Sequence, residues 1–250
     1  MKNLLLFFLF FLPVRFVNAT EVLIVADEIP AMEVLAKALK TQENIDSKIV
    51  LQAEMTSDLS GYTAVLVYIH KDIEPIAEKA FINYTKAGGK LIVLHHSISS
   101  AKRKNAEWFP LLGIELPKAD INEGGYGYVG DINMEVVNLA PKHFITTHKI
   151  NYPEKISYKQ ESETKEKNLK GYKLLKTEGF LNHILRGKKT ILLGFKFTDK
   201  KGKTWMQDRA AWCMKVDKGW IFYLQPGHAI TDYEDTTNAQ IVVNAVIYKF

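Results

Sequence analysis

Gly88-Gly-Lys-Leu-Ile-Val-Leu-His-His-Ser97 is the stretch on which the reading of this chain turns. Paired glycines stop the helix before them, because glycine adopts left-handed backbone without a Cβ penalty. Lys90-Leu-Ile-Val-Leu94 is then a short apolar run, which suits a strand covered on both faces. That strand runs directly into His95-His96-Ser97.

The pattern repeats on the amino-terminal side. Glu21-Val-Leu-Ile-Val-Ala26 is a β-branched run, and Asp27 and Pro30 turn the chain. Met32, Leu35, Ala36 and Leu39 then fall at helical spacing. Lys48-Ile-Val-Leu51 and Ala64-Val-Leu-Val-Tyr-Ile69 are the next strands, the latter ending at His70. Pro75 opens a second helix with Ile76, Ala80 and Ile82 to Tyr84 on its apolar stripe. Alternation of this length means parallel pairing with right-handed crossovers. The expectation is an α/β fold with a doubly wound, mostly parallel sheet of flavodoxin-like kind.

The carboxyl-terminal side changes texture. Thr190–Phe197, Ala210–Val216 and Gly219–Leu224 read as strands of a late antiparallel meander, the last two joined by a hairpin at Asp217-Lys218-Gly219. Shorter strands are expected near Met134–Val137 and Tyr172–Leu175, and a closing helix over Thr236–Tyr248. Lys159–Lys170 mixes both charge signs and reads as a solvated loop. Glu123-Gly-Gly-Tyr-Gly-Tyr128 follows no clear strand and opens no helix, so it reads as a turn and not as a phosphate cradle. No linker or repeat divides the chain, which is expected to be one domain over residues 20–250.

Residues 1–19 are set aside as a signal peptide. Lys2 is followed by an apolar run from Leu4 to Leu12, Pro13 ends it, and Val17-Asn18-Ala19 offers a cleavage step. The run is about half of the roughly 20 residues a membrane-spanning helix needs. A secreted or periplasmic protein starting at Thr20 follows, with no stable membrane insertion after cleavage. The formal charge of +5 falls to +3 when Lys2 and Arg15 leave. That excess, without a basic stripe, gives no argument for nucleic acid. Cys213 is the single cysteine, so no internal disulfide can form. Its setting in Ala-Ala-Trp-Cys-Met-Lys-Val is that of a buried strand residue.

Ligands of open α/β sheets collect outside the carboxyl ends of strands. His70 and His95-His96 stand at such ends, and Pro226-Gly227-His228 follows another, with Asp232 and Glu234 just beyond. Two chemistries remain open. Imidazoles beside a carboxylate such as Asp232 can act as general acid and base. The same residues can hold a divalent metal such as zinc, although no fixed ligand spacing supports it. His95, His228 and Asp232 are the candidate catalytic set, with His96 and His70 as binding residues. Trp108, Tyr126, Tyr128 and Trp205 could stack on the C–H faces of a sugar, Trp205 from a loop ahead of its strand.

Three short motifs carry a family resemblance. Leu94-His95 at a strand end, Gly219-Trp-Ile-Phe-Tyr-Leu-Gln-Pro-Gly-His228, and more loosely His143-Phe-Ile-Thr146 resemble the ThuA-like, or trehalose-utilisation, domain. The resemblance spans most of Glu21–Phe250 and implies a fold similar to class I glutamine amidotransferases. In those enzymes the strand ending near His95 delivers a nucleophilic cysteine. This chain has none there, and Cys213 sits in a different strand, so amidotransferase chemistry is not expected. The resemblance implies a role in disaccharide or other carbohydrate metabolism. Its expected partner is a small-molecule carbohydrate, bound by an enzyme or by a non-catalytic accessory protein; a homo-oligomer is left open.

Overall fold

The computed structural model describes residues 21–250, so the expected signal segment lies outside the described residues. Helices and strands alternate through the first half: β1 (Glu21–Ala26), α1 (Ile29–Glu43), β2 (Asp46–Val50), β3 (Ala64–Tyr68), α2 (Pro75–Ala87) and β4 (Lys90–Leu94). Both long helices carry proline in their first turn, where the missing N–H costs nothing. Gly88, at φ 122, ends α2 just before β4.

The middle holds α3 (Trp108–Leu112), β5 (Ile114–Glu115), β6 (Gly127–Asn138), α4 (Phe144–Thr147), β7 (Glu154–Tyr158), β8 (Lys167–Leu181) and β9 (Ile184–Leu185). The chain closes with β10 (Thr190–Thr198), β11 (Thr204–Val216), β12 (Gly219–Leu224), α5 (Ile230–Glu234) and α6 (Thr236–Ile247).

Ten strands form one sheet in the order β2-β1-β3-β4-β12-β11-β10-β6-β8-β7, with β5 and β9 pairing separately. β2, β1, β3, β4 and β12 run parallel. From β12 onward every neighbour is antiparallel. This corrects the expected mostly parallel sheet: four ladders are parallel and five antiparallel. β6 and β8 are far longer than the apolar kernels at Met134–Val137 and Tyr172–Leu175, and β8 takes in Lys167 to Lys170 from the expected loop.

Side chains alternate across the strands of the parallel part and feed two cores. Val22, Ile24, Leu66 and Ile92 pack with Met32, Leu35 and Leu39 of α1 and Ile241 and Val242 of α6. Leu23, Val25, Val67 and Val93 pack with Ala77 and Phe81 of α2 and Trp108 and Leu112 of α3. Helices therefore cover both faces there, which is why those strands read as unbroken apolar runs. Cys213 is buried in β11 between Thr190 and Phe222, and burial pushes its thiol up to about 11.

Candidate functional site

β4 and β12 lie side by side with Leu94 opposite Leu224, so the two chains leave the sheet together. His95 turns sharply at φ 39 and opens a short 3-10 turn over His95–Ile98. A left-handed backbone is costly for a residue with a Cβ and persists only where the surroundings hold it. The hold is visible: His95 Nδ1 lies 2.5 Å from the Gln225 carbonyl oxygen. A carbonyl only accepts, so Nδ1 carries the proton and Nε2 faces the other way.

The His228 loop is fixed from three sides. Gly227 sits at φ 147, and a Cβ there would overlap the Tyr233 hydroxyl, so no other residue fits. The Tyr68 hydroxyl, at the end of β3, reaches the Gly227 and His228 carbonyl oxygens at 3.0 and 3.1 Å. The Asp232 carboxylate accepts from the His228 and Ala229 N–H groups at 2.8 and 3.1 Å and from the Thr177 hydroxyl at 2.6 Å.

The three imidazoles meet here. Ring centroids are 4.2 Å apart for His95 and His96, 5.4 Å for His95 and His228, and 5.3 Å for His96 and His228. His96 Nε2 lies 3.2 Å from His228 Nδ1. Glu178 of β8 approaches from across the sheet, its Oε1 3.5 Å from His95 Nε2. His95, His96, Glu178 and His228 thus present ligand atoms within 4.8 Å of one another. His95 is fully buried, whereas His228 is partly exposed. Burial, with His95, His70 and His228 crowded around it, pushes His96 well below the usual imidazole range, so it is neutral.

Lys102 underlies the cluster. It is fully buried, and its ammonium donates to the carbonyls of Ile69, His70 and His96 at 2.6 to 2.7 Å and to Ser99 Oγ at 3.0 Å. Lys102 ties the ends of β3 and β4 together, as does the Ser97 hydroxyl between Ile69 N and Val67 O.

His70 stacks on His96 with centroids 4.3 Å apart and planes 3° from parallel, while its Nδ1 meets Glu28 at 3.2 Å. It lines the site's outer rim. Asp232, expected as a catalytic carboxylate, is 1% exposed and spends Oδ2 on the His228 loop, which it positions. Trp205, expected in a loop, lies inside β11 opposite Phe197, hydrogen-bonded to Asp199 and capped by Lys203, and is not brought to the histidines. Trp108 is fully buried and donates to Ser97 O. Tyr126 stacks behind Phe180, with its hydroxyl on Ile98 O. Tyr128 is 66% exposed beside Phe180, which itself packs on His95. His143 caps α4 against the Tyr248 ring.

Glu178 and Lys102 went unread in the sequence. The signal for Glu178 was a lone acid in Thr177-Glu-Gly-Phe180, hidden because Lys176, at φ 55, breaks the alternation that would have assigned its face. A cavity of about 700 Å³ lies elsewhere, lined by Glu161, Asp208 and Arg209 among others. It contains none of the converging imidazoles.

A mixed sheet whose strand ends gather histidines around one carboxylate defines an α/β protein with its site at the β4 and β12 ends. The family model for trehalose utilisation, ThuA, matches residues 14–249, and the chain belongs to that family. No curated protein matches the sequence. A ThuA-like protein from Bacteroides uniformis is similar in structure, with TM-score 0.60 and 13% identity, covering 94% of this chain and 93% of its own. A cold-adapted β-galactosidase from Rahnella sp. R3 aligns with TM-score 0.55 and 13% identity over 87% of this chain but 30% of its own. The carbohydrate deacetylase Agd3 aligns with TM-score 0.50 and 10% identity over 88% of this chain and 32% of its own. The chain spans under a third of either enzyme, and identities this low speak for the fold alone.

Proposed function

We propose that the chain is an exported carbohydrate-active enzyme whose reacting groups are His95, His96, His228 and Glu178. The observation that carries this is the convergence of three imidazoles at adjoining strand ends with the Glu178 carboxylate of β8; the exposed Tyr128 ring reaches them only through Phe180, which packs on His95. A passive sugar site needs aromatic faces and hydrogen-bond donors; it does not need a buried imidazole nitrogen facing a carboxylate. Membership of a family described by trehalose utilisation supports a sugar ligand, and the galactosidase and deacetylase that share the fold act on carbohydrates. Tyr128 would stack on the sugar, and His70 would border it.

Wild type, His95→Ala and His228→Ala incubated with a panel of disaccharides test the reading. Turnover by wild type should fall by about 100-fold or more in each variant, in line with loss of a reacting group, while sugar affinity changes only a few-fold. Affinity without turnover in wild type would instead make the chain an accessory sugar binder. Export rests on the apolar run Leu4–Leu12 and the Val17-Asn18-Ala19 step. Intact mass of protein from its native host should correspond to a chain starting at Thr20; a retained Met1 refutes export by cleavage.

A further inference from the structure

We propose that His95, His96, His228 and Glu178 bind one divalent transition-metal ion of the zinc class, which rests on the site assigned above and adds the ion to it. Tautomer geometry supplies the first argument. The Gln225 carbonyl holds the His95 proton on Nδ1, so a neutral ring presents a bare lone pair at Nε2. That nitrogen is fully buried, has no hydrogen-bond partner among the described residues, and faces Glu178 Oε1 at 3.5 Å. A lone pair and a carboxylate oxygen repel each other in a dry site unless a proton or a metal ion lies between them. A donated Nδ1–H with Nε2 free is also how metal-bound imidazoles are oriented from outside.

Ring orientation is the second argument. A metal lies close to the plane of each imidazole it binds, so the planes of the ligand rings must share a point, as inclined rings can. His95 and His96 are inclined at 75°, His95 and His228 at 60°, and His96 and His228 at 70°. Glu28, His70 and His96 form the other close grouping, but its two rings are 3° from parallel and stacked at 4.3 Å. Parallel stacked rings cannot aim at a shared ion, so that grouping is a packing feature.

Distances agree. A tetrahedral ion with bonds of roughly 2.0–2.1 Å separates its ligand atoms by about 3.3 Å. His96 Nε2 to His228 Nδ1 is 3.2 Å, and His95 Nε2 to Glu178 Oε1 is 3.5 Å. Three nitrogens and one oxygen suit zinc and its neighbours; magnesium and calcium prefer oxygen alone. Partial exposure of His228 leaves an approach by which a sugar oxygen could add as a fifth ligand, and the ion would then polarise it as a Lewis acid.

The full chain is stripped with chelator and titrated with zinc chloride by calorimetry, and cobalt is substituted to read coordination from its visible spectrum. One ion per chain and an intense tetrahedral cobalt band are expected. Glu178→Gln, which keeps shape, and His95→Ala should each weaken zinc by about 100-fold, the upper end of what even outer-shell changes cost. His70→Ala should leave zinc affinity unchanged. No stoichiometric binding, or wild-type affinity in a folded Glu178→Gln chain, overturns the proposal; circular dichroism establishes folding, and Glu178→Gln decides if His95→Ala does not fold. Stripped protein that turns over sugar and takes up no stoichiometric zinc removes the metal and leaves the carbohydrate reading standing. Stoichiometric zinc with no sugar bound or turned over does the reverse.

Discussion

At His95 and His228 the sequence is legible because each imidazole follows an apolar strand almost at once, and strand ends are where such sheets present ligands. Asp232 was also visible, but its role was not: whether a carboxylate faces a ligand or a loop depends on the path of the Ala229–Asp232 turn, which only the fold determines. Lys102 could not be assigned at all, since a lysine in Ser100-Ala-Lys-Arg-Lys104 reads as surface. Its three carbonyl partners come from two strand ends, so its burial is a tertiary property. Lys102→Met keeps the stem and deletes the donors, leaving those oxygens unsatisfied. Urea denaturation should show a loss of about 1–3 kcal/mol, the cost of leaving a buried acceptor without its donor. A loss below about 1 kcal/mol would mean that water satisfies the carbonyls equally well.

Among the elements, the parallel strands were readable and β6 and β8 were not. A strand covered by helices on both faces shows a continuous apolar run, whereas β8 alternates charged and apolar residues and bends at Lys176. That bend has a use: Thr177 and Glu178 point to opposite faces, one reaching Asp232 under the His228 loop and the other reaching His95. The antiparallel meander of β10, β11 and β12 was legible, but the reach of β6, β7 and β8 was not, and their ladders tip the sheet to mostly antiparallel. His183 follows β8 in full burial, with neither ring nitrogen hydrogen-bonded among the described residues. Burial, reinforced by Arg209 and Lys189, pulls it down to about 3 from 6.5. The unfolded chain therefore binds a proton that the folded chain refuses between those values. Stability is whole above pH 6.5 and is lost as pH falls toward 3. His183→Phe should flatten this acid limb relative to wild type in thermal melts between pH 7 and 4; an unchanged slope would show that His183 is not what limits acid stability.

Taken whole, the molecule sets two cores on either side of a sheet whose parallel half ends in the histidine cluster and whose antiparallel half carries Glu178 back to it. Among the described residues no helix is long and apolar enough to cross a membrane. The cluster, and not the cavity beside Arg209 and Asp208, is assigned the sugar. A crystal structure of the chain with a bound disaccharide decides between them. The account predicts a sugar ring against Tyr128 with an oxygen within about 3 Å of the His228 and Glu178 side chains, the reach of a hydrogen bond. Sugar density in the cavity lined by Glu161, Asp208 and Arg209, with the histidine cluster untouched, would contradict it.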